Sequence, residues 1–580
     1  MQRLRHSPDR YWLLLPLLAA ALYCLGLDSF YAPTNGDEMV YIHLARMTSE
    51  SGHWLPLQSE IHGMRNTKPP LLIWQAMVAG DWGRLWHLWA LRIPSVLYTL
   101  CTALGGVGYF TYRLGGARLR TACVAVTLYL LYFSTFRYGR VYLTSAPETF
   151  WLALPMWWLL DYRLRYPKLA VQIQPWHFGI FGIVFGLGAA YKSFALLAPA
   201  AAAWWLAALW SEPTLRWNTL RRLTVGMGAS VLLGLAIFAS WFLLDPDPQA
   251  VWQEFVVSEN AGKMTSSQGY WYNALYGTYP LWPQLFSYPI NAGLLAFQTL
   301  GFMAWSVYQA TWQRGLRNVH PAVRVLLVWL LLWLVVFCIP SQRSERYVIP
   351  AMPALAIAMA LAWERIPRIW SLACVWICVP AVVILARIAW FIGTLEVAAF
   401  GWALAATAVA SLGLVGALWV LARPRHLRSA GLLACLCLYA CFYLMVAPLD
   451  GEKADFAISA KQELQGKQIA VPNGFTGQFE AYRFVFPGAA IAPYDAEGRN
   501  TGERYPEMPA DARLNRLLNE FDAVVWRDEG TPLSCLPNCR ILAQRWHVRS
   551  RHKDGDVTLN NIWYPDQWLF NREWLLSRTE

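Results

Sequence analysis

The sequence predicts a polytopic α-helical membrane protein that carries a small soluble α/β domain at its C-terminal end. Of the 580 residues, 57% are hydrophobic and 14% are charged, whereas soluble domains carry roughly 25% charged residues. Apolar runs long enough to cross a bilayer recur from residue 11 to residue 447. Beyond that point, short strand-like and helix-like patterns alternate. These observations together give the fold class.

Thirteen apolar segments, read at about 20 residues for each crossing, predict thirteen transmembrane helices. No small-residue cleavage site follows the first apolar run, so we expect it to be retained as a span rather than removed as a signal peptide. The predicted transmembrane domain covers residues 1–447. The predicted spans lie near 11–30, 88–111, 120–135, 141–160, 176–191, 193–211, 222–244, 289–310, 322–340, 348–363, 367–393, 398–422 and 428–447.

The distribution of Lys and Arg predicts the orientation of these spans. If the N-terminus is cytoplasmic, every connection on the inner side carries two or three Lys or Arg residues, as the positive-inside rule requires. The net charge of +12 is then explained by membrane topology, and we predict no nucleic-acid partner. An odd number of spans then places the C-terminal domain outside.

The predicted C-terminal domain, residues 448–580, has its own pattern. Strand-like QIAVP (468–472) and FDAVVW (521–526) flank helix-like DARLNRLLNEF (511–521), which is typical of a small α/β fold. Cys535 and Cys539 lie here rather than in a span, and a disulfide between them fits an oxidising compartment. A zinc site would need more ligands than this spacing supplies.

Two long connections on the outer side, 31–87 and 245–288, contain helical and aromatic stretches rather than polar filler. Long ordered loops of this kind are usually functional. The aromatic run 269–283 and Tyr347 could provide an apolar wall and a sugar-stacking surface, although aromatic residues at this depth also serve as interface anchors.

Charged residues collect at the predicted outer face, where the positive-inside rule does not account for them. Each has a structural explanation on its own, yet charges at the edges of spans are costly and mark substrate paths. Such a cluster suits an anionic lipid headgroup and one general base. The basic members are Lys68, Arg92, Arg137, Arg140, Lys192, Arg343, Arg346 and Arg387, and the acids are Asp37, Glu38, Glu148 and Glu345.

The chemistry of the outer compartment narrows the donor. Nucleotide sugars and ATP are confined to the cytoplasm, and the sequence has neither a P-loop nor a dinucleotide-binding fingerprint. A group-transfer enzyme at this face would therefore take its donor from a lipid phosphate.

Six segments occur in order along the chain: NGDEMVYIHLARMTSESGHWL, TKPPLLIW, LRIPSVL, AAYKSFALLAP, FVVSENAGK and RYVIPAMPALA. Together they resemble the type C glycosyltransferases (GT-C) that use polyprenyl-phosphate sugars. The closest resemblance is to the bacterial lipid A aminoarabinose transferases, which are related to protein O-mannosyltransferases.

The resemblance implies the GT-C fold, with two amphipathic helices in the first outer loop, the first over 37–51. It implies that Asp37 is the catalytic carboxylate and that Glu38 assists it. A second set of residues would hold the carrier phosphate: Lys68, Arg92, Lys192, Arg343, Arg346 and Tyr347. Glu148, Arg140 and Asn260 are candidates for acceptor binding or an auxiliary role.

The sequence departs from the family pattern at three positions. Relatives carry an Asp where this chain has Ser145, and here Glu148 lies one helical turn further on. Thr67 stands where the family has Glu, and a Lys-Gly-Pro-like turn is replaced by Lys192, Ser193 and Phe194. These departures leave the acceptor and any divalent-metal requirement open, and no cofactor is predicted.

We therefore predict an inverting glycosyltransferase that moves a sugar from undecaprenyl phosphate to an envelope acceptor. Lipid A, modified with 4-amino-4-deoxy-L-arabinose, is favoured over a protein or polysaccharide acceptor. Two other classes stay open: a lipid transporter or flippase, and a non-catalytic envelope-assembly protein. A transporter usually shows repeated halves with a site near the midplane, whereas here we find no repeat and the charges lie at one face.

Overall fold

The computed structural model describes residues 8–31, 36–61, 63–214, 216–264, 269–313, 319–395, 400–423, 427–451, 454–473, 477–494, 508–528, 539–549 and 555–579. Helices dominate the chain up to residue 446. Before the second long loop they are α1 (Leu14–Cys24), α2 (Gly36–Glu50), α3 (Pro70–Ala79), α4 (Leu88–Cys101), α5 (Tyr109–Leu114), α6 (Leu119–Leu131), α7 (Phe133–Tyr138), α8 (Ser145–Arg165), α9 (Pro175–Tyr191), α10 (Leu197–Trp210) and α11 (Trp217–Leu244).

The second long loop contains three short helices, and seven further helices follow it. In order they are α12 (Pro248–Val251), α13 (Tyr270–Leu275), α14 (Leu281–Leu285), α15 (Ser287–Ala292), α16 (Ala296–Tyr308), α17 (Pro321–Val336), α18 (Met352–Leu361), α19 (Arg368–Thr394), α20 (Phe400–Leu421) and α21 (Leu427–Val446). The π-helical segment Trp252–Asn260 extends α12 toward the site described below.

Each of the thirteen predicted spans overlaps a helix of the structure, which confirms the membrane character of the chain. Within the described residues, five helical runs are long and apolar enough to cross a bilayer: Leu88–Leu114, Trp217–Leu244, Ser287–Thr311, Arg368–Thr394 and Leu427–Asp450. Other apolar helices are shorter, so the count of thirteen stays a prediction. Helices suit this environment because they satisfy their backbone hydrogen bonds internally.

The two helices expected in the first long loop are α2 and α3. Val40, Leu44 and Met47 recur at helical spacing on α2, and Val40 and Leu44 are buried while Met47 is half-buried, as expected of the inner face of an amphipathic helix. However, eleven of the fifteen residues of α2 are buried, so the helix is enclosed on several faces. The expectation of a simple amphipathic helix was incomplete, because part of the C-terminal region covers α2.

That region is a mixed α/β unit, called here the C-terminal unit (described residues between 454 and 579). Its elements are α22 (Ile458–Glu463), β1 (Gln468–Pro472), α23 (Ala481–Val485), β2 (Ala490–Tyr494), α24 (Ala510–Glu520), β3 (Ala523–Asp528), β4 (Cys539–Val548), α25 (Pro565–Trp568) and β5 (Phe570–Arg578). The predicted strands near 468 and 523 and the predicted helix near 511 are all present. The boundary at 447/448 stays a prediction.

The strands form one sheet in the order β2-β1-β3-β5-β4. Strand β1 is parallel to β2 and β3, whereas β5 is antiparallel to β3 and β4. Successive side chains point to opposite faces: Ile469 packs with Phe479 on one face, and Ala470 packs with Leu517 of α24 on the other. The ring of Phe570 in β5 lies 5.4 Å from Phe391 in α19, so the sheet packs against the helical region.

Of the two cysteines in the predicted disulfide, the structure describes one. Cys539 begins β4, and Cys535 lies outside the described residues. The pairing therefore stays a prediction.

Candidate active site

A cavity of about 430 Å³ lies where the first long loop meets the start of α8, the turn after α9 and the segments near 260 and 342. One part of its wall is polar and the other is apolar. The polar residues include Asp37, Thr67, Lys68, Thr144, Ser145, Lys192, Ser193, Glu259, Asn260, Lys263, Gln342 and Arg346, and the apolar ones include Val40, Met64, Leu143, Leu196, Phe337 and Pro340. Such a cavity suits an amphipathic ligand with an anionic head.

Asp37 stands in the first turn of α2 and points to the cavity. Its Oδ2 accepts a hydrogen bond of 3.4 Å from Nη1 of Arg346, and the side chain keeps 33% of its surface exposed. The guanidinium of Arg346 lies over the ring of Tyr138 at 5.4 Å. Burial alone would lower the pKa of Arg346, but Tyr138 and Asp37 outweigh it and raise that pKa. The result is an accessible carboxylate beside a permanent cation.

Two lysines that line the cavity share one carboxylate. Nζ of Lys68 and Nζ of Lys263 each lie 2.8 Å from Oε1 of Glu259. Burial would raise the pKa of Glu259, but the attraction of the two lysines is larger and lowers it. This arrangement keeps the lysines in place, at the edge of a loop, with their charge only half neutralised.

Lys192 follows α9 and forms a fourth ion pair. Its Nζ lies 2.9 Å from Oε1 of Glu148, which is fully buried beneath the cavity wall. The ring of Tyr347 lies 5.8 Å from the same ammonium group. Next to it, Oγ of Ser193 donates to Oδ1 of Asn260 at 2.7 Å, which joins the turn after α9 to the second long loop.

The structure thus brings six of the predicted site residues to one cavity. These are Asp37, Lys68, Lys192, Asn260, Arg346 and Tyr347. Glu148 lies directly behind Lys192 and acts on the cavity through it.

Glu38 and Arg92, expected to act in catalysis and in phosphate binding, do not line the cavity, and these two roles stay predictions. Both are 1% exposed. Nε and Nη2 of Arg92 donate to the two oxygens of Glu38 at 2.8 and 2.7 Å, and the N–H of Tyr142 donates to the same carboxylate at 2.8 Å. Nη1 of Arg92 donates to the carbonyls of Leu27 and Ser29. The pair fixes the loop that leads into α2.

Arg343 and Arg140 donate hydrogen bonds to backbone carbonyls outside the main cavity. Nε and Nη1 of Arg343 each donate at 2.9 Å, to the carbonyls of Cys338 and Tyr279, and the arginine lines a neighbouring cavity of about 390 Å³. Arg140 is 1% exposed and donates to the carbonyl of Leu25. Neither side chain lines the main cavity, and the roles expected for both stay predictions.

Glu259 and Lys263 are site residues that the sequence analysis did not single out, although both lie in the quoted segment FVVSENAGK. Their spacing of four residues was the available signal, because it places opposite charges on one helical face.

As for metals, no group of three or more His, Cys, Asp or Glu side chains suited to an ion occurs within the described part of the chain.

Solved structures support the resemblance to the type C glycosyltransferases at the level of fold. The structure superposes on ArnT from Cupriavidus metallidurans bound to undecaprenyl phosphate with a TM-score of 0.59 at 16% identity, covering 90% of this chain and 93% of that one. The apo state of the same protein gives a TM-score of 0.55 at 15% identity, with the same coverage. The resemblance predicted from the sequence is thereby confirmed at the level of fold.

The curated relatives of this chain are named as arabinosyl transferases. The chain is 26% identical over 330 residues to undecaprenyl phosphate-alpha-4-amino-4-deoxy-L-arabinose arabinosyl transferase 1 of Sodalis glossinidius, which covers 56% of this chain and 54% of the relative. It is 26% identical over 369 residues to the corresponding transferase of Pseudomonas savastanoi pv. phaseolicola, covering 61% and 60%. The match thus spans between half and two thirds of these relatives. No protein-family model matches the sequence.

Proposed function

We propose that this chain is a membrane glycosyltransferase that moves a sugar from a polyprenyl-phosphate donor to an envelope acceptor. The single observation that carries the proposal is the accessible carboxylate of Asp37, held beside Arg346 at a cavity that also presents three lysines. The relatives act on undecaprenyl phosphate-linked aminoarabinose by name. We therefore propose undecaprenyl phosphate as the carrier and 4-amino-4-deoxy-L-arabinose as the sugar.

Lys68, Lys192 and Lys263 would bind the carrier phosphate. Each already has a carboxylate partner, so the phosphate joins existing ion pairs rather than meeting isolated charges. Charge-assisted hydrogen bonds of this kind are the strong ones in proteins. The apolar wall near Leu196 and Phe337 would take the first isoprene units.

The reaction is a single displacement with inversion at the anomeric carbon. The acceptor oxygen forms a bond to that carbon from the face opposite the phosphate, while the bond from the carbon to the phosphate oxygen breaks. Asp37 takes the proton of an acceptor hydroxyl, or orients an acceptor that arrives already ionised. Arg346 and the lysines stabilise the charge that develops on the departing carrier phosphate.

The acceptor would enter through the neighbouring cavity. This space of about 390 Å³ shares Lys263, Gln342, Arg346 and Tyr347 with the main cavity, so a ligand in it reaches the same reaction centre. Its wall is mainly polar and offers no apolar groove for a carrier tail. A phosphorylated sugar headgroup such as that of lipid A fits this chemistry.

The donor is lipid-linked, so we place the site at the periplasmic face of the inner membrane, with the N-terminus in the cytoplasm. The C-terminal unit packs against α2 and the loops of the site, and would lie in the periplasm as residues 448–580.

The test compares envelope lipids and glycoproteins by mass spectrometry from cells expressing wild-type protein or Asp37→Asn. We expect a wild-type-only mass increment of one aminoarabinose on lipid A, with both proteins present in the membrane. Asp511→Asn is a matched control, because Asp511 also stands in the first turn of a helix but lies in the C-terminal unit. A mass increment on protein or polysaccharide would identify that molecule, rather than lipid A, as the acceptor. The absence of an increment on any acceptor would favour a transporter.

A further inference from the structure

The C-terminal unit packs against α2, the helix that carries Asp37, and forms hydrogen bonds with it. Glu480 is fully buried, and its carboxylate accepts hydrogen bonds from two side chains of α2. Nδ1 of His43 lies 2.9 Å from Oε2, and Nε of Arg46 lies 2.6 Å from Oε1. The N–H of Glu60 donates to Nε2 of His43 at 3.1 Å, so the ring proton stands on Nδ1 and is donated to Glu480.

A second contact lies closer to the cavity. The backbone of Gly477 adopts the left-handed conformation, with φ of +78°. A Cβ atom built on it would lie 2.8 Å from Cγ2 and 3.0 Å from Cα of Val40. Val40 lines the main cavity and is three residues from Asp37. The C-terminal unit therefore approaches α2 by backbone contact near the catalytic turn and by a buried ion pair further along.

These contacts matter because α2 cannot fix its own position. An isolated helix of fifteen residues is marginally stable in water. Its first turn depends on the buried Glu38–Arg92 pair, and its next turns depend on Glu480 and Gly477. A displacement of about 1 Å at a catalytic group can cost about 100-fold in rate. The contacts that fix α2 therefore affect the rate, because they determine where the Asp37 carboxylate lies.

We propose that Glu480 is a positioning residue for catalysis: it holds α2 from the C-terminal unit so that Asp37 stays beside Arg346. The residue touches no substrate and acts through His43 and Arg46. The kinetic part of this inference rests on the proposed transfer reaction, whereas its structural part does not.

The test uses the purified full-length protein with Glu480→Gln. The amide NH₂ of glutamine would face His43 or Arg46, both of which are donors, so one hydrogen bond is lost and a donor–donor contact replaces it. We expect kcat to fall about 10- to 100-fold while KM for the polyprenyl-phosphate donor is unchanged, because the phosphate-binding lysines lie on other segments.

Glu573→Gln is the matched control. Glu573 is also fully buried and accepts from Arg527 at 2.6 Å and from Arg545 at 2.8 Å, yet these partners belong to the C-terminal unit. This variant should lower thermal stability with kcat per folded molecule retained. Equal losses of kcat in the two variants would mean general destabilisation and would overturn the proposal, as would wild-type kcat in Glu480→Gln.

A second readout needs no activity. With Asp37→Cys as the parent, we expect a charged maleimide to alkylate Cys at position 37 faster after Glu480→Gln than after Glu573→Gln, as located by peptide mass spectrometry. Equal rates overturn the positioning role. If Glu480→Gln does not fold, Arg46→Gln removes the guanidinium bonds and leaves the one from His43. If the wild-type protein transfers no sugar, the proposed function fails and the alkylation rates alone decide this inference.

Discussion

The ammonium group of Lys192 lies 2.9 Å from the carboxylate of Glu148, which is wholly enclosed by protein. Glu148 lies in the first turn of α8, one helical turn after Ser145, and its side chain reaches the lysine of the turn after α9. The pair therefore joins α8 to that turn beneath the main cavity.

This pair predicts a ligand-dependent stability. Glu148→Gln leaves Lys192 without its counter-charge, and breaking a buried ion pair costs about 3–5 kcal/mol. A bound phosphate would replace the lost carboxylate, so added undecaprenyl phosphate should raise the melting temperature more in Glu148→Gln than in the wild type. Thermal melting in detergent with and without the lipid measures this difference.

The control for this experiment is Glu212→Gln. Glu212 is also fully buried and pairs with Arg163 at 2.7 Å, but it does not line the cavity. It should lose stability with no added response to the lipid. An equal lipid response in both variants would contradict a phosphate site at Lys192.

Lys68→Gln should act on the donor. Loss of a charge-assisted hydrogen bond costs about 1.5–3 kcal/mol, which corresponds to a rise of about 10- to 100-fold in donor KM. Steady-state kinetics with varied undecaprenyl-phosphate sugar measures it. Lys461→Gln, in an ion pair with Asp455 of the C-terminal unit, is the control. A drop in kcat with an unchanged donor KM would instead mean that Lys68 interacts with the donor phosphate mainly in the transition state.

Arg92→Met should reduce stability rather than donor affinity. The substitution leaves Glu38 buried without its partner, at a cost of about 3–5 kcal/mol. The yield of folded protein and the melting temperature should fall, whereas the Kd for undecaprenyl phosphate, measured on the folded fraction, should match that of the wild type. A folded variant with weakened lipid binding would restore the phosphate-binding role that the sequence suggested.

Glu259 predicts a pH dependence. Its pKa is lowered from the usual value of 4.5 because the attraction of Lys68 and Lys263 outweighs the effect of burial. A carboxylate with a depressed pKa stabilises the folded state above its unfolded pKa, and this contribution is lost as the pH falls through the folded value. The stability difference between wild type and Glu259→Gln should therefore be constant near neutral pH and shrink below pH 4.5.

Melting temperatures of the two proteins across this pH range give the comparison. A difference that stays the same down to the lowest accessible pH would show that Glu259 is not held in its ionised form by the lysines.

The site could be predicted in outline because its residues sit in motifs near apolar segments. Asp37, Lys68, Lys192 and Arg346 were identified as charges at one membrane face, and the structure places all four at the cavity. Arg92 and Arg343 satisfied the same criterion, but neither lines the main cavity. Their sequence context did not distinguish them, because the difference depends on partners far along the chain, such as Glu38 for Arg92.

Local sequence patterns were sufficient to predict the helical membrane architecture, the strand and helix pattern of the C-terminal unit, and the residues from which a site could be built. Apolar length and periodicity encode these features locally, since each segment must satisfy its own backbone and bury its own apolar face. The sequence alone did not reveal which charges face the cavity, that Glu259 joins Lys68 to Lys263, or that Glu480 contacts α2. Those outcomes depend on contacts between residues separated by up to several hundred positions, and burial at such contacts, rather than residue type, determines whether a charge is free to bind a substrate.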